Sequence, residues 1–195
     1  EEVATAAILT NHLPEWGYVI SKPVAAALLT GIVTDTLGFR TSNTNPSALR
    51  LCAQLMETGV ELSDLYMRSL VNKSFTAAKY WGLGLSSLEQ KNGIVWATLT
   101  LADRKRTGYG GNDDADLINL ISAIEGNKVG MIFVEQSDDH VKISWRALDS
   151  SVDVSKVAKH FKGGGHAAAA GADIPGALSE VQPIVLKSTR ELLGL

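Results

Sequence analysis

The run Gly163-Gly164-Gly165-His166, followed by Ala167-Ala168-Ala169-Ala170-Gly171, concentrates more chemistry than any other stretch of this sequence. Three residues without a Cβ, placed directly before a run of the strongest helix former, predict a tight loop opening a helix. Backbone N–H groups in such a loop carry partial positive charge and can receive a phosphate or a carboxylate. His166 then stands at the helix entrance, where its imidazole can donate to the anion. The plainer alternative is a flexible linker with a close-packed alanine helix, in which His166 is an ordinary loop residue. Arg146 lies in Ile143-Ser144-Trp145-Arg146, where strand alternation puts it beside Ser144, opposite Ile143 and Trp145. Its planar fork suits a phosphate or a base edge, although the same residue taken alone reads as a surface arginine. Asp35 ends the apolar stretch Gly31-Ile32-Val33 between Thr34 and Thr36. A carboxylate is a hard oxygen ligand for Mn²⁺ or Mg²⁺, but one aspartate is not a site, and a helix-terminal Asp bonded to local backbone is the simpler reading.

Other chemistry-bearing residues carry less. His12 and His160 have no partner at metal-ligand spacing and read as surface residues. Asp138-Asp139-His140 falls in a polar hairpin turn and reads as solvated. Lys105 and Arg106, near Asp113, Asp114 and Asp116, form a mixed-charge rim, and Lys162 adds a positive charge beside the glycine run. Trp96 and Trp145 are expected to pack in the core. There is no Gly-x-Ser-x-Gly elbow and no P-loop, so serine-hydrolase and NTPase readings lack support.

The elements that must position these residues follow from composition and period. The 195 residues are 45% hydrophobic and 20% charged, enough for a sizeable core in one large or two small domains. A net charge of −3 excludes an overall positive field for long duplex DNA. Apolar runs fall short of the ~20 residues that span a bilayer. Cys52 is the only cysteine, which excludes an intrachain disulfide and fits a reducing compartment. The start at Glu1 lacks both a methionine and the pattern of a signal peptide, and the expectation is a start inside a longer protein.

Residues 1–70 read as mainly helical: Val3 to Leu13, Pro23 to about Asp35, and a segment capped by Asn45 with Pro46 at its first position and Gly59 as its stop. Leu49, Cys52, Ala53 and Met56 are its expected core face. Glu57 to Leu88 suits a helical connector. From Gly93 the period changes, with strands at Ile94–Leu101, Val129–Val134 and Val141–Trp145. Helices are expected at Asp113–Ile124, Val154–Phe161 and Leu178–Leu193.

Taken together, Gly31 to Arg40 with its Thr34-Asp35-Thr36 core, Asn43-Thr44 before a helix, Ser144 to Arg146, Val152-Asp153-Val154, and Gly163-Gly164-Gly165-His166 with Ala169-Ala170-Gly171 resemble the DHH-family phosphoesterases. The nearest branch is the bacterial oligoribonuclease and 3′-phosphoadenosine-5′-phosphate phosphatase branch. The resemblance implies an α/β chain in three parts: residues 1–70 as the mainly helical end of a DHH catalytic domain, 71–88 as a helical linker, and 89–195 as a small α/β substrate-binding domain with a mixed sheet. It implies Asp35 as a catalytic, metal-holding aspartate, and Arg146, Gly163, Gly164, Gly165 and His166 as substrate-binding residues.

The implied cofactor is two Mn²⁺ ions, with Mg²⁺ as the alternative. The implied substrates are short RNA oligonucleotides cut to 5′-mononucleotides and 3′-phosphoadenosine-5′-phosphate converted to AMP, in a cytoplasmic protein without a membrane segment and compatible with a homodimer. The family's other metal motifs, including the Asp-His-His that names it, are absent from these 195 residues, so the chain alone is expected to be catalytically incomplete. The rivals are a cyclic-dinucleotide phosphodiesterase, which shares both motifs, and a non-catalytic nucleotide or nucleic-acid binding module, which needs the glycine-histidine loop but not Asp35.

Overall fold

The computed structural model describes residues 2–136 and 139–195. It divides into two compact units, Glu1–Asn72 and Lys73–Leu195, each with its own core.

The first unit is helical: α1 (Thr5–Glu15), α2 (Lys22–Asp35), α3 (Pro46–Met56) and α4 (Leu62–Tyr66), followed by a π-helical turn at Met67–Val71. The expected cap is present, with the Ala48 N–H donating to Asn45 Oδ1 at 3.0 Å and Pro46 opening α3. The buried face of α3 differs from expectation. Ala48, Leu51, Cys52 and Leu55 pack against α1 and α2, while Leu49 is 49% exposed and Met56 faces solvent. The two stripes share Cys52 and differ by one residue, a rotation of about 100°. Packing against neighbouring helices decides that rotation, and the period of one helix does not contain it.

The second unit holds a six-stranded mixed sheet in the order β1-β2-β3-β4-β6-β5. Its strands are β1 (Glu89–Lys91), β2 (Ile94–Leu99), β3 (Val129–Gln136), β4 (His140–Ala147), β5 (Gly164–His166) and β6 (Ala169–Pro175). Among the described residues only β2 and β3 pair in parallel. The expected strand at Ile94–Leu101 stops at Leu99, because Thr100 caps a further helix, α6 (Leu101–Thr107), in a reciprocal box with Asp103. Most of the segment expected as the linker, 71–88, is α5 (Phe75–Ser86), whose Ala77 and Tyr80 are buried in the core beneath β2 and β3. It belongs to the second unit. The helix expected at Asp113–Ile124 is confined to α7 (Leu117–Ile121), since Ala115 and Asp116 adopt left-handed backbone.

Helices α5 and α7 cover one face over β2 and β3. Helices α8 (Ser155–His160) and α9 (Leu178–Leu193) cover the other face, over Trp96, Phe133, Ile143 and Trp145. Pro183 lies inside α9, which continues through it.

Candidate substrate-binding face

The glycine and alanine run is a β-hairpin, not a loop opening a helix. Gly164–His166 forms β5, Ala167 and Ala168 make the turn, and β6 returns from Ala169. Alanine's helix propensity is overridden by pairing. His166 sits opposite Ala169 and Gly164 opposite Gly171, and the turn is tied down when Ala147 N–H donates to the Ala168 carbonyl (2.9 Å) and Val154 N–H to that of Ala167 (3.0 Å). Two of the glycines are there for close approach. A Cβ on Gly163 would collide with the Gly171 carbonyl, and one on Gly165, whose φ is +140°, would lie 2.5 Å from the Ala169 carbonyl oxygen. Gly164 differs, because a Cβ there would meet nothing within 4 Å.

Register then places the anchors. Residues directly opposite in antiparallel strands point to the same face. Arg146 on β4 pairs with Ala169 on β6, which pairs with His166 on β5. Two residues along lies the rung Ser144, Gly171, Gly164, and beyond it Lys142 opposite Asp173. The result is a shallow track floored by Gly164, Ala169 and Gly171. Arg146 and His166 stand on either side of it, separated by two strand spacings, or roughly 10 Å. As the alternation predicts, Ile143 and Trp145 are fully buried on the opposite face, while Ser144 and Arg146 are half-buried and His166 is exposed. A cavity of about 400 Å³ continues the track, lined by Ser144, Gly163, Gly171, Lys142, Asp173, Asn112 and Gln136.

The loop of residues 112–116 sets the charge beside this track. Burial lowers the Arg146 pKa, and the carboxylates of Asp114 and Asp116 oppose that shift. Asp114 is itself raised by burial, against the Ile118 N–H that donates to it at 2.8 Å. Asp113 is also disfavoured as an anion by burial. It ends up below the ordinary value because the Tyr109 hydroxyl and the Ala115 N–H donate to it and Lys142 lies near. Lys73 pairs with Asp116. The expected solvated rim is thus partly an ordered network that faces Arg146 and Lys142. The sequence signal for it was the Asp113-Asp114-Ala115-Asp116 cluster, which composition alone reads as surface.

In the first unit Asp35 is the last residue of α2 and is exposed, and among the described residues its carboxylate has no hydrogen-bond or ion-pair partner. The local-backbone role foreseen for it is taken by Thr36, whose Oγ1 donates to the Ile32 carbonyl (2.7 Å) and accepts from Phe39 N–H (3.1 Å). Leu37, Gly38 and Phe39 follow with φ of +48°, +70° and +67°. Two of these are non-glycine residues in a region that costs of order 1 kcal/mol or more each. Strained backbone therefore begins two residues after a carboxylate that has no partner among the described residues and stands at the negative end of a helix.

Among the described residues, no group of three or more His, Cys, Asp or Glu is placed to hold a metal ion. Asp35 alone does not fit a divalent centre, which takes several oxygen ligands. Asp138 of the Asp138-Asp139-His140 run lies outside the described residues, as does Ser137. His12 pairs with Glu15 and stacks on Trp16, and His160 packs edge-on against Phe161.

Comparison with known proteins adds to this geometry. A model of the DHHA1 domain matches residues 97–193. The chain is 32% identical over 194 residues to the "Bifunctional oligoribonuclease and PAP phosphatase NrnA" of Thermus thermophilus, covering 98% of this chain and 58% of that protein. A Bacillus subtilis protein of the same name is 24% identical over 161 residues, covering 82% of this chain and 50% of its own length. An exopolyphosphatase-related protein from Bacteroides fragilis shares the fold with a TM-score of 0.88 at 22% identity, over 97% of this chain and 57% of that one. The chain thus spans little more than half the length of the relatives it matches.

Proposed function

Because the chain belongs to the DHHA1-domain family, we propose that its second unit is the substrate-binding part of a phosphoesterase acting on short oligoribonucleotides, releasing 5′-mononucleotides, and on 3′-phosphoadenosine-5′-phosphate, releasing AMP. The observation that carries this reading is the row Arg146, Ala169, His166 across three strands. It sets a planar cationic fork and an imidazole on either side of a floor without bulky side chains, and a phosphodiester can approach the main chain there. The relatives' names, oligoribonuclease and PAP phosphatase, support the substrate class.

Arg146 grips a phosphate through charge-assisted hydrogen bonds, with the carboxylates of Asp114 and Asp116 behind it. His166 donates to or accepts from the same nucleotide from the far side. Gly164 leaves the floor open between them. Positioning of this kind is how a binding domain contributes to phosphoryl chemistry.

Asp35 is proposed as one ligand of a Mn²⁺ centre of two ions, with Mg²⁺ as the alternative, whose other donors lie outside this sequence. An exposed carboxylate without a partner among the described residues, at the end of α2, supports that role. A cytoplasmic setting fits the single, buried Cys52, and no helix of the described residues is long and apolar enough to cross a membrane. A homodimer is the proposed assembly.

The test is Mn²⁺-dependent release of AMP from 5′-pApA and from 3′-phosphoadenosine-5′-phosphate, using this chain and the longest natural polypeptide that contains it side by side. The expected result is activity in the longer polypeptide only, lost in D35A, with this chain still binding substrate. Binding without turnover in both would favour the non-catalytic module, and turnover by the 195-residue chain would overturn the assignment of an incomplete centre.

A further inference from the structure

The track does not end at the rung of Arg146 and His166. Four residues along β4 from Arg146, an advance of about 14 Å, Lys142 lies opposite Asp173 of β6. Ser144 and Gly171 form the rung between them. The cavity of about 400 Å³ occupies these two rungs and reaches Asn112 and Gln136, a volume within the range of small-molecule sites. Its polar side chains are a hydroxyl, two amides, an ammonium and a carboxylate. Among the described residues no aromatic ring lines it, so it offers hydrogen bonds rather than a stacking surface. That chemistry suits the sugar of a nucleotide better than its base.

A carboxylate is out of place in a track for an anionic strand unless it is neutralised or meets a donor. The carboxylates of the neighbouring loop are engaged: Asp113 accepts from Tyr109 and Ala115, Asp114 accepts from the Ile118 N–H, and Asp116 pairs with Lys73. Asp173, by contrast, is exposed, lines the cavity and has no hydrogen-bond or ion-pair partner among the described residues. Lys142 across the rung, its Cα about 5 Å away, offsets the charge of Asp173 without being bound to it. The rung is therefore close to neutral and keeps a free acceptor. Ribose brings the donor that such an acceptor needs in its 2′-hydroxyl, and deoxyribose does not.

We propose that Asp173 is the residue that selects ribose. It accepts from the 2′-hydroxyl of the nucleotide next to the one held between Arg146 and His166, and Lys142 cancels its repulsion of the strand. The inference rests on the reading of this face as an oligoribonucleotide site. The separation of the two rungs falls within the length of an extended dinucleotide, so a two-residue RNA reaches both.

The experiment is calorimetric titration of the 195-residue chain, without added metal, with 5′-pApA, its all-deoxy counterpart and the two dinucleotides that each lack one 2′-hydroxyl. The unmutated chain should bind 5′-pApA about tenfold tighter than the all-deoxy form, with the loss carried by one of the two singly deoxygenated ligands. D173A should erase the difference by weakening RNA while DNA binds as before or tighter. K142Q should weaken RNA and DNA alike and leave the preference standing. Asp173 and Lys142 are both exposed, so the variants keep the fold, and a ratio of two ligands on one protein does not follow its stability. Equal affinity of the unmutated chain for RNA and DNA overturns the proposal, as does a preference for RNA that survives D173A or a loss split evenly between the two singly deoxygenated ligands. R146Q tests the underlying reading separately: it should weaken both RNA and DNA, and unchanged affinity in R146Q would count against the track itself.

Discussion

Arg146 and Lys142 share one face of β4 but not one environment. Arg146 is partly buried, with Asp114 and Asp116 close by, whereas Lys142 is exposed opposite Asp173. The fixed cation is the one suited to hold a phosphate. Asp113 shows how tightly this loop is arranged. Its folded pKa lies below its unfolded value, so the stability it contributes is present above the ordinary carboxylate range and is lost as pH falls through the lowered value. Y109F removes one donor to that carboxylate. The gap in melting temperature between the unmutated chain and Y109F should therefore be widest near neutrality and narrow on acidification, and a gap independent of pH would count against the network.

Asp35 makes the opposite kind of prediction. It stands unpaired at the negative end of α2, so D35N should stabilise the chain by up to about 1 kcal/mol in thermal melts. A carboxylate kept for folding would give a loss instead. Lys162 has φ +60°, and K162G should likewise stabilise, by about 1 kcal/mol.

At the scale of elements the hairpin β5–β6 decides the site, and its glycines separate by role. G163A and G165A should destabilise the second unit by about 1–3 kcal/mol, since each places a methyl group against main chain. G164A should fold normally, as its Cβ meets nothing, yet it puts a methyl group on the floor of the track. Nucleotide binding should therefore fall in G164A without a change in melting temperature. This hairpin was also where the sequence misled. Four alanines after a histidine read as a helix, because propensity is local and the partners that impose β structure, Arg146 through Ile143 on β4, are distant in sequence. Alternation in Ile143 to Arg146 and the Asn45-Pro46 cap were legible because each is decided within a few residues. The rotation of α3, the short edge strand β1 and the capture of α5 by the second core were not, since each depends on a neighbour that the local pattern does not contain.

For the molecule as a whole, two cores imply two folding units. Residues 73–195 contain all six strands and both layers of helices around them, so that fragment expressed alone should melt cooperatively and keep its nucleotide binding. A fragment that is unfolded, or folded without binding, would show that the first unit completes it. Asp35 and the track belong to different units, and the resemblance that joins them draws on motifs in both halves of the sequence, which neither half supplies alone.

The most direct test of the central claim is calorimetric titration of 5′-pApA into the 195-residue chain and its R146Q and H166A variants, without added metal. The unmutated chain should bind, R146Q should weaken binding at least about tenfold, and H166A should weaken it less, with all three melting alike. Equal affinity in all three, or no binding to a folded unmutated chain, would contradict the assignment of this face as the nucleotide site.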